Sequence, residues 1–181
     1  MKITIEDVPA GELSLFVRVP GWADGARLAV NDKSVGAEPG SYAELRRVWK
    51  TGDMVELTLP MKPRLLEAHP LVEEARNHVA VACGPLVYCL ESAELPKGVS
   101  VRDAAIPRDA TFTVRFDKDL LGGVAVLEGK AEVTDAKQWG DELYRPSRPG
   151  DAKKFDINLI PYYAWANRGK SEMTVWLPWG R

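Results

Sequence analysis

The residues that could do chemistry are few: two cysteines, Cys83 and Cys89, two histidines, His69 and His78, and a scatter of carboxylates. The two thiols could form a disulfide or half of a metal site. Along an unbroken strand, positions 83 and 89 share a face but lie ~20 Å apart at about 3.3 Å per residue. A disulfide needs Cα atoms within about 7 Å. A bend at Gly84-Pro85 shortens the gap, but only by folding the strand back on itself. The expectation is two small buried hydrophobic side chains. No His-x-x-x-His or Cys-x-x-Cys pattern is present, so no metal ligand is assigned. His69 precedes Pro70 in a polar connection, where an exposed imidazole is the expectation rather than a general base.

Carboxylates are plentiful, and glycoside hydrolysis needs only two, about 5–10 Å apart. The local clusters are Glu73-Glu74, Asp117 with Asp119, and Asp141-Glu142. Each falls in a predicted loop or strand end, where solvated surface charge is the default, so no catalytic residue is assigned. No Gly-x-Gly-x-x-Gly, Walker loop or Gly-x-Ser-x-Gly elbow is present, and no cofactor is expected. The aromatics are more informative. Tyr162, Tyr163, Trp165, Asn167 and Arg168 crowd into one short stretch. Rings on a sandwich surface can stack on the apolar faces of sugars while Asn and Arg bond the hydroxyls. Packing in a core or between domains uses the same residue types. Trp22, Trp49, Trp139, Trp176 and Trp179 are spread along the chain.

The elements that must position these residues read as strands. Glu12 to Val19 alternates, with Leu13, Leu15, Val17 and Val19 on one face. Arg27 to Asn31 is short, and Asn31-Asp32 is a hairpin turn into Ser34-Val35. Ser41 to Trp49 and Met54 to Leu59 follow, each closed by Gly or Pro signals. Leu65 to Arg76 has some helical look but is broken by Pro70, and reads as a connection. His78 to Glu91 is the most apolar run, a continuous stretch expected to be a strand buried on both faces, with Gly84-Pro85 as a bulge or crossing. Val79, Val81, Leu86, Val87 and Leu90 are expected in the core. Glu94 to Pro107 is irregular. Thr111 to Phe116, Val124 to Val133, Phe155 to Trp165 and Met173 to Leu177 are further strands, with a long loop over residues 135–151. Short strands with Gly/Pro punctuation predict an all-β chain of two antiparallel β-sandwich, jelly-roll-like units, residues 1–72 and 73–181.

The bulk numbers narrow the function classes. The 181 residues carry a net charge of −2, with 28% charged and 45% hydrophobic side chains. That is no nucleic-acid surface, which needs clustered Lys and Arg. No stretch approaches the ~20 apolar residues of a membrane span. The opening M-K-I-T-I-E-D-V has no apolar signal region, so the chain as given is expected to be cytoplasmic.

Several stretches carry a resemblance. F-V-R-V-P-G-W-A (residues 16–23), V-N-D (30–32), R-V-W-K-T-G-D-M-V-E-L (47–57), V-A-V-A-C-G-P-L-V-Y-C-L-E (79–91), P-Y-Y-A-W-A-N-R-G (161–169) and M-T-V-W-L-P (173–178) resemble the C-terminal part of the β-L-arabinofuranosidase family, glycoside hydrolase family 127. The resemblance implies a large N-terminal (α/α)6 barrel followed by β-sandwich domains. It implies that the chemistry lies in the barrel, on a zinc-held cysteine and a glutamate, with two adjacent cysteines among the zinc ligands. This sequence has no Cys-Cys pair, and Cys83 and Cys89 do not match that motif, so none of those roles is carried over. The chain is therefore expected to be a non-catalytic accessory region whose partner is the helical barrel, in cis or upstream. A free-standing carbohydrate-binding module built on residues 162–168 is the alternative, and a hydrolase using surface carboxylates ranks last. In the family, further strands precede the segment matching Lys2 to Val8. An unpaired sheet edge invites another chain, so the expectation is a homodimer through that edge, or a first half held by docking on the second.

Overall fold

The computed structural model describes residues 1–134, 141–144, 146 and 152–180. Trp139 and most of the expected 135–151 loop lie outside them. Among the described residues every regular element is a strand or a short 3-10 turn, and every pairing between named strands is antiparallel. The chain divides into two compact units, Met1–Met61 and Lys62–Arg181.

The first unit is a small sandwich. One sheet has the order β1 (Lys2–Thr4), β6 (Met54–Thr58), β3 (Arg27–Val30), β4 (Lys33–Val35); the other pairs β2 (Glu12–Arg18) with β5 (Tyr42–Val48). Val17 and Leu45 from the second sheet meet Leu28, Val30, Val55 and Leu57 from the first, with Trp49 among them. The alternation in β2 and β6 has this origin: one residue in two points into the gap between sheets. The β3–β4 turn is Asn31-Asp32, both at positive φ (48° and 64°), as a type I′ hairpin requires. Asn31 also fixes the turn to β6. Its Nδ2 donates to Asp53 Oδ1 at 2.8 Å, and its Oδ1 accepts from the Met54 amide at 2.8 Å. The Asp53 carboxylate is buried yet fully partnered. The Asn31 amide and the Lys50 backbone N–H hold it below the usual carboxylate range, with Arg47 adding to the effect.

The second unit is one eight-stranded sheet curled around its core, in the order β10 (Thr113–Asp117), β11 (Val124–Thr134), β12 (Ala152–Pro161), β9 (Leu86–Glu91), β8 (His78–Cys83), β14 (Leu177–Pro178). In addition, β7 (Pro63–Glu67) pairs with β8, and β13 (Met173–Thr174) with β9. Val79, Val81, Tyr88, Leu90, Leu127, Leu159 and Leu177 share one core with Ala104 and Ile106 from the irregular 94–107 segment. Each fully buried aliphatic side chain stabilises by about 1.5–3 kcal/mol, so that segment is anchored by its apolar residues together with two single β-bridges, Ala105 to Glu132 and Ile106 to Trp179.

Three expectations are corrected. Residues 78–91 are not one strand. They fold back at Gly84-Pro85 into the β8–β9 hairpin, where Gly84 takes φ 56° and the proline ring fixes a negative φ, the pattern of a type II′ turn. The pairing holds only for Ala82↔Val87 and Cys83↔Leu86. The strands then part, and the C-terminal segment enters the gap, β13 on β9 and β14 on β8. Val87 is 39% exposed, because its parity places it with Cys89 on the other face and at the uncovered turn end. The 65–76 stretch is the strand β7 and a 3-10 turn, Glu73–Ala75. Because β7 is laddered to β8, residues 62–72 go with the second unit, so the division falls after Met61. Finally, the strand β12 stops at Pro161, and Tyr162–Ala164 is a 3-10 turn.

Candidate functional site

Residues 162–172 form the connection from β12 to β13, both of which lie beside β9. Tyr162 and Trp165 stack with ring centroids 6.4 Å apart and an interplanar angle of 12°. The 3-10 turn sets this up by placing positions three apart on one side. Tyr162, Tyr163 and Trp165 are all exposed. The other two sequence-picked residues are committed elsewhere. Asn167 donates from Nδ2 to the carbonyls of Ala164 and Trp165, both at 3.1 Å, closing its own turn. Arg168 turns inward. So the five residues separate into an aromatic surface and its fastening.

The fastening is a buried ionic node. Glu91, at the end of β9, is only 1% exposed. Its Oε2 accepts from Arg168 Nε at 2.8 Å and from Nη2, while its Oε1 accepts from the Ala166 amide at 3.2 Å and from Ser171 Oγ at 3.3 Å. Arg168 Nη1 donates to Glu94 Oε1, and Asn158 Nδ2 donates to the other Glu94 oxygen at 3.1 Å. Burial works against the guanidinium charge, but the hydrogen bonds to Glu94 and Glu91 prevail and hold Arg168 above its ordinary value. Ala166 sits at φ 66°, unusual for a residue with a Cβ, and its amide is thereby aimed at Glu91. The sequence reading missed Glu91 and Glu94. The available signal was a lone carboxylate closing the apolar run L-V-Y-C-L-E, at the same strand parity as buried Cys89. Both carboxylates are tied to one cation, which fits them to clamp the 162–172 loop rather than to exchange protons with a substrate.

Several other carboxylates are paired as well. A cleft of about 680 Å³ opens beside β11 and β12. In it Lys130 meets Asp156 at 2.7 Å and Lys154 meets Asp109 at 3.4 Å, while Glu128 bonds Arg115 Nε at 2.5 Å. Arg115 also reaches Asp117 at 3.0 Å, and Glu73 lies 3.7 Å from Arg76. The thiols are free and buried, Cys83 in the main core and Cys89 in a second cluster with Val124, Val126 and Ile160. Burial pushes the Cys89 thiol up to about 12. Among the described residues no three of His, Cys, Asp and Glu gather as metal ligands. The zinc that the family resemblance implies therefore does not fit these cysteines, which are protonated and in separate clusters.

With this geometry in view, the comparisons with known proteins are specific. Residues 1–61 match the β-L-arabinofuranosidase, GH127 middle domain, and residues 63–178 match the glycoside hydrolase family 127 C-terminal domain. The boundary between the two matches coincides with the division seen in the fold. A non-reducing end β-L-arabinofuranosidase of Bifidobacterium longum subsp. longum is 36% identical over 165 residues, which cover 88% of this chain and 25% of that protein. The crystal structure of a GH127 β-L-arabinofuranosidase from Geobacillus stearothermophilus T6 superposes with a TM-score of 0.89 at 41% identity, covering 99% of this chain and 28% of that one. A solved structure described as a glycoside hydrolase gives 0.88 at 47% identity, covering 99% and 30%. The chain thus spans between a quarter and a third of the length of these relatives, and among its described residues there is no helical barrel. It belongs to glycoside hydrolase family 127, of which it carries the middle and C-terminal domains.

Proposed function

We propose that this chain is a non-catalytic accessory region of an arabinofuranoside-cleaving glycoside hydrolase, and that it supports the catalytic helical barrel. One observation carries the reading. The chain aligns along nearly its whole length with proteins named β-L-arabinofuranosidases, yet accounts for at most 28% of each. The ion-paired carboxylates and protonated thiols agree with a supporting role. A chromogenic β-L-arabinofuranoside incubated with the chain alone is expected to show no release above buffer. The region matching residues 62–181, deleted from the Bifidobacterium longum relative, is expected to lower that enzyme's melting temperature and soluble yield. Turnover by the isolated chain, or a deletion that leaves the relative's stability unchanged, would overturn the proposal.

A second reading rests on the Tyr162–Trp165 pair. Two nearly parallel exposed rings, held by a buried ion-pair clamp, form a rigid apolar platform of the kind on which a sugar ring stacks. Titration with arabinose-containing oligosaccharides, followed by tryptophan fluorescence, is expected to give a saturable change that Trp165→Ala removes. Binding that survives this substitution would eliminate the platform.

A further inference from the structure

We infer that the cleft beside β11 and β12 is a binding site for a neutral, polyhydroxylated ligand, a glycan unit held by its hydroxyls. This site does not use the Tyr162–Trp165 platform and stands or falls apart from it.

The cleft exists because a segment of chain leaves the sheet and returns to it. Ala105 and Glu132 exchange both backbone hydrogen bonds at 2.8 Å, and β10 resumes the ladder on β11 at Thr113↔Glu128. Between those two pairs the segment departs. The Ile106 amide donates instead to the Pro178 carbonyl at 2.8 Å, and the Ala110 amide closes a turn on the Pro107 carbonyl at 3.0 Å. Phe112 then brings the segment back by resting on Gly129, which has no Cβ to hold the ring off. In an antiparallel ladder, alternate residues of a strand direct their backbone groups to the same side. Lys130 lies midway between Glu128 and Glu132, so its N–H and C=O face the departed segment. Among the described residues they have no backbone partner there. The gap is the cleft, and its volume of about 680 Å³ falls within the range of small-molecule sites, about 300–1,000 Å³.

The walls select the occupant. Lys130 and Asp156 stand opposite each other on β11 and β12, with Nζ 2.7 Å from Oδ1. Lys154 reaches Asp109 at 3.4 Å, and Glu128 is held by Arg115. Every charge in the lining therefore has an opposite partner, and the charges cancel. An anion would face Asp109 and Asp156, a cation would face Lys130 and Lys154, and either must displace a partner to gain one. An apolar ligand finds little to cover, because Pro107 and Ile157 are buried. Strand addition needs a run of open backbone, and only one residue is open between the flanking pairs. A sugar hydroxyl, by contrast, both donates and accepts. An ammonium beside a carboxylate offers a donor next to an acceptor, and the Lys130 backbone offers a second such couple. Thr111 and Thr113 add exposed hydroxyls to the lining.

Titration of the full chain with a neutral arabino-oligosaccharide, followed by amide NMR, tests the site. The Lys130 amide resonance is expected to move and to saturate in the millimolar range. Two changes at exposed positions should each weaken that binding at least fivefold, with unchanged far-ultraviolet circular dichroism showing that the variants fold. Thr111→Trp fills the cleft, and Asp156→Ala removes the acceptor beside Lys130. Trp165→Ala should leave the Lys130 titration as it is, which separates this site from the aromatic platform. Inorganic phosphate and spermidine, as charged probes, should move the resonance less than the oligosaccharide does. A Lys130 amide that does not move overturns the inference. So does binding that survives in either folded cleft variant, a response lost with Trp165→Ala, or tighter binding of phosphate or spermidine than of the sugar.

Discussion

Glu91 and Arg168 define what a single residue can be worth in this chain. Both are desolvated, 0% and 21% exposed at the side chain, and each satisfies the other through a two-point contact. Removing one member of a buried pair leaves an uncompensated charge, whereas replacing both by apolar groups is often near neutral. Arg168→Met is therefore expected to destabilise the second unit by about 3–5 kcal/mol. The double change E91M/R168M should recover most of that loss. Urea unfolding of the two singles and the double closes the cycle, and additive losses would show that the pair is not coupled. Little of this node was legible in the sequence. Arg168 stood out because it sits among aromatics, but its partner is 77 positions away, and no local pattern links a strand-end carboxylate to a loop arginine. Asn31-Asp32 was legible for the opposite reason: its geometry is set by its own two residues, whose side chains tolerate positive φ.

At the scale of the element, alternation was readable wherever a strand has one wet face. β2, β5 and β6 in the first unit and β10 and β11 in the second follow from it to within a residue or two at most of their ends. The pattern fails for β8 and β9 because both faces are covered, and an all-apolar run carries no parity. A Gly-Pro hairpin also lacks the Asn-Gly or Asp-Gly signature that marks most two-residue turns. Close packing of the long strands gives a test of its own. Gly129 in β11 lies under Phe112, and a Cβ there would come within 2.5 Å of the Phe112 ring and 3.3 Å of the Thr111 carbonyl. Gly129→Ala is expected to cost about 1–3 kcal/mol through overpacking. If the ring is the obstacle, Phe112→Leu in the same chain should return part of the loss. An equal loss in the presence of Phe112→Leu would place the strain in the backbone instead. Urea midpoints of the two variants decide it.

The whole molecule is organised by where the ladders run, and the division after Met61 follows from that. A reading from composition and turn spacing placed the boundary after residue 72, because Leu65 to Arg76 is neither cleanly alternating nor helical and contains Pro70. What settles its allegiance is non-local. β7 pairs along five residues with β8, Leu65 packs on the main core, and Arg64 Nη1 donates to the Gly84 carbonyl at 2.8 Å. β8 stands at the centre of the second unit, with β7 along one edge and β9 and β14 along the other. A fragment comprising residues 62–181 retains all of these contacts and both apolar clusters of the unit. It is expected to unfold in a single cooperative thermal transition. A fragment of residues 73–181 loses β7, which exposes the β8 edge next to Val79, Val81 and Cys83, all nearly fully buried in the intact unit. Burial of those side chains is worth more than the shorter fragment saves in chain entropy, and a bare central strand pairs with other copies. Residues 73–181 should therefore aggregate or melt without a sharp transition. Calorimetry of the two fragments side by side, at matched concentration, is the measurement. Equal cooperativity in both would mean that β7 is an ornament of the second unit rather than part of its core.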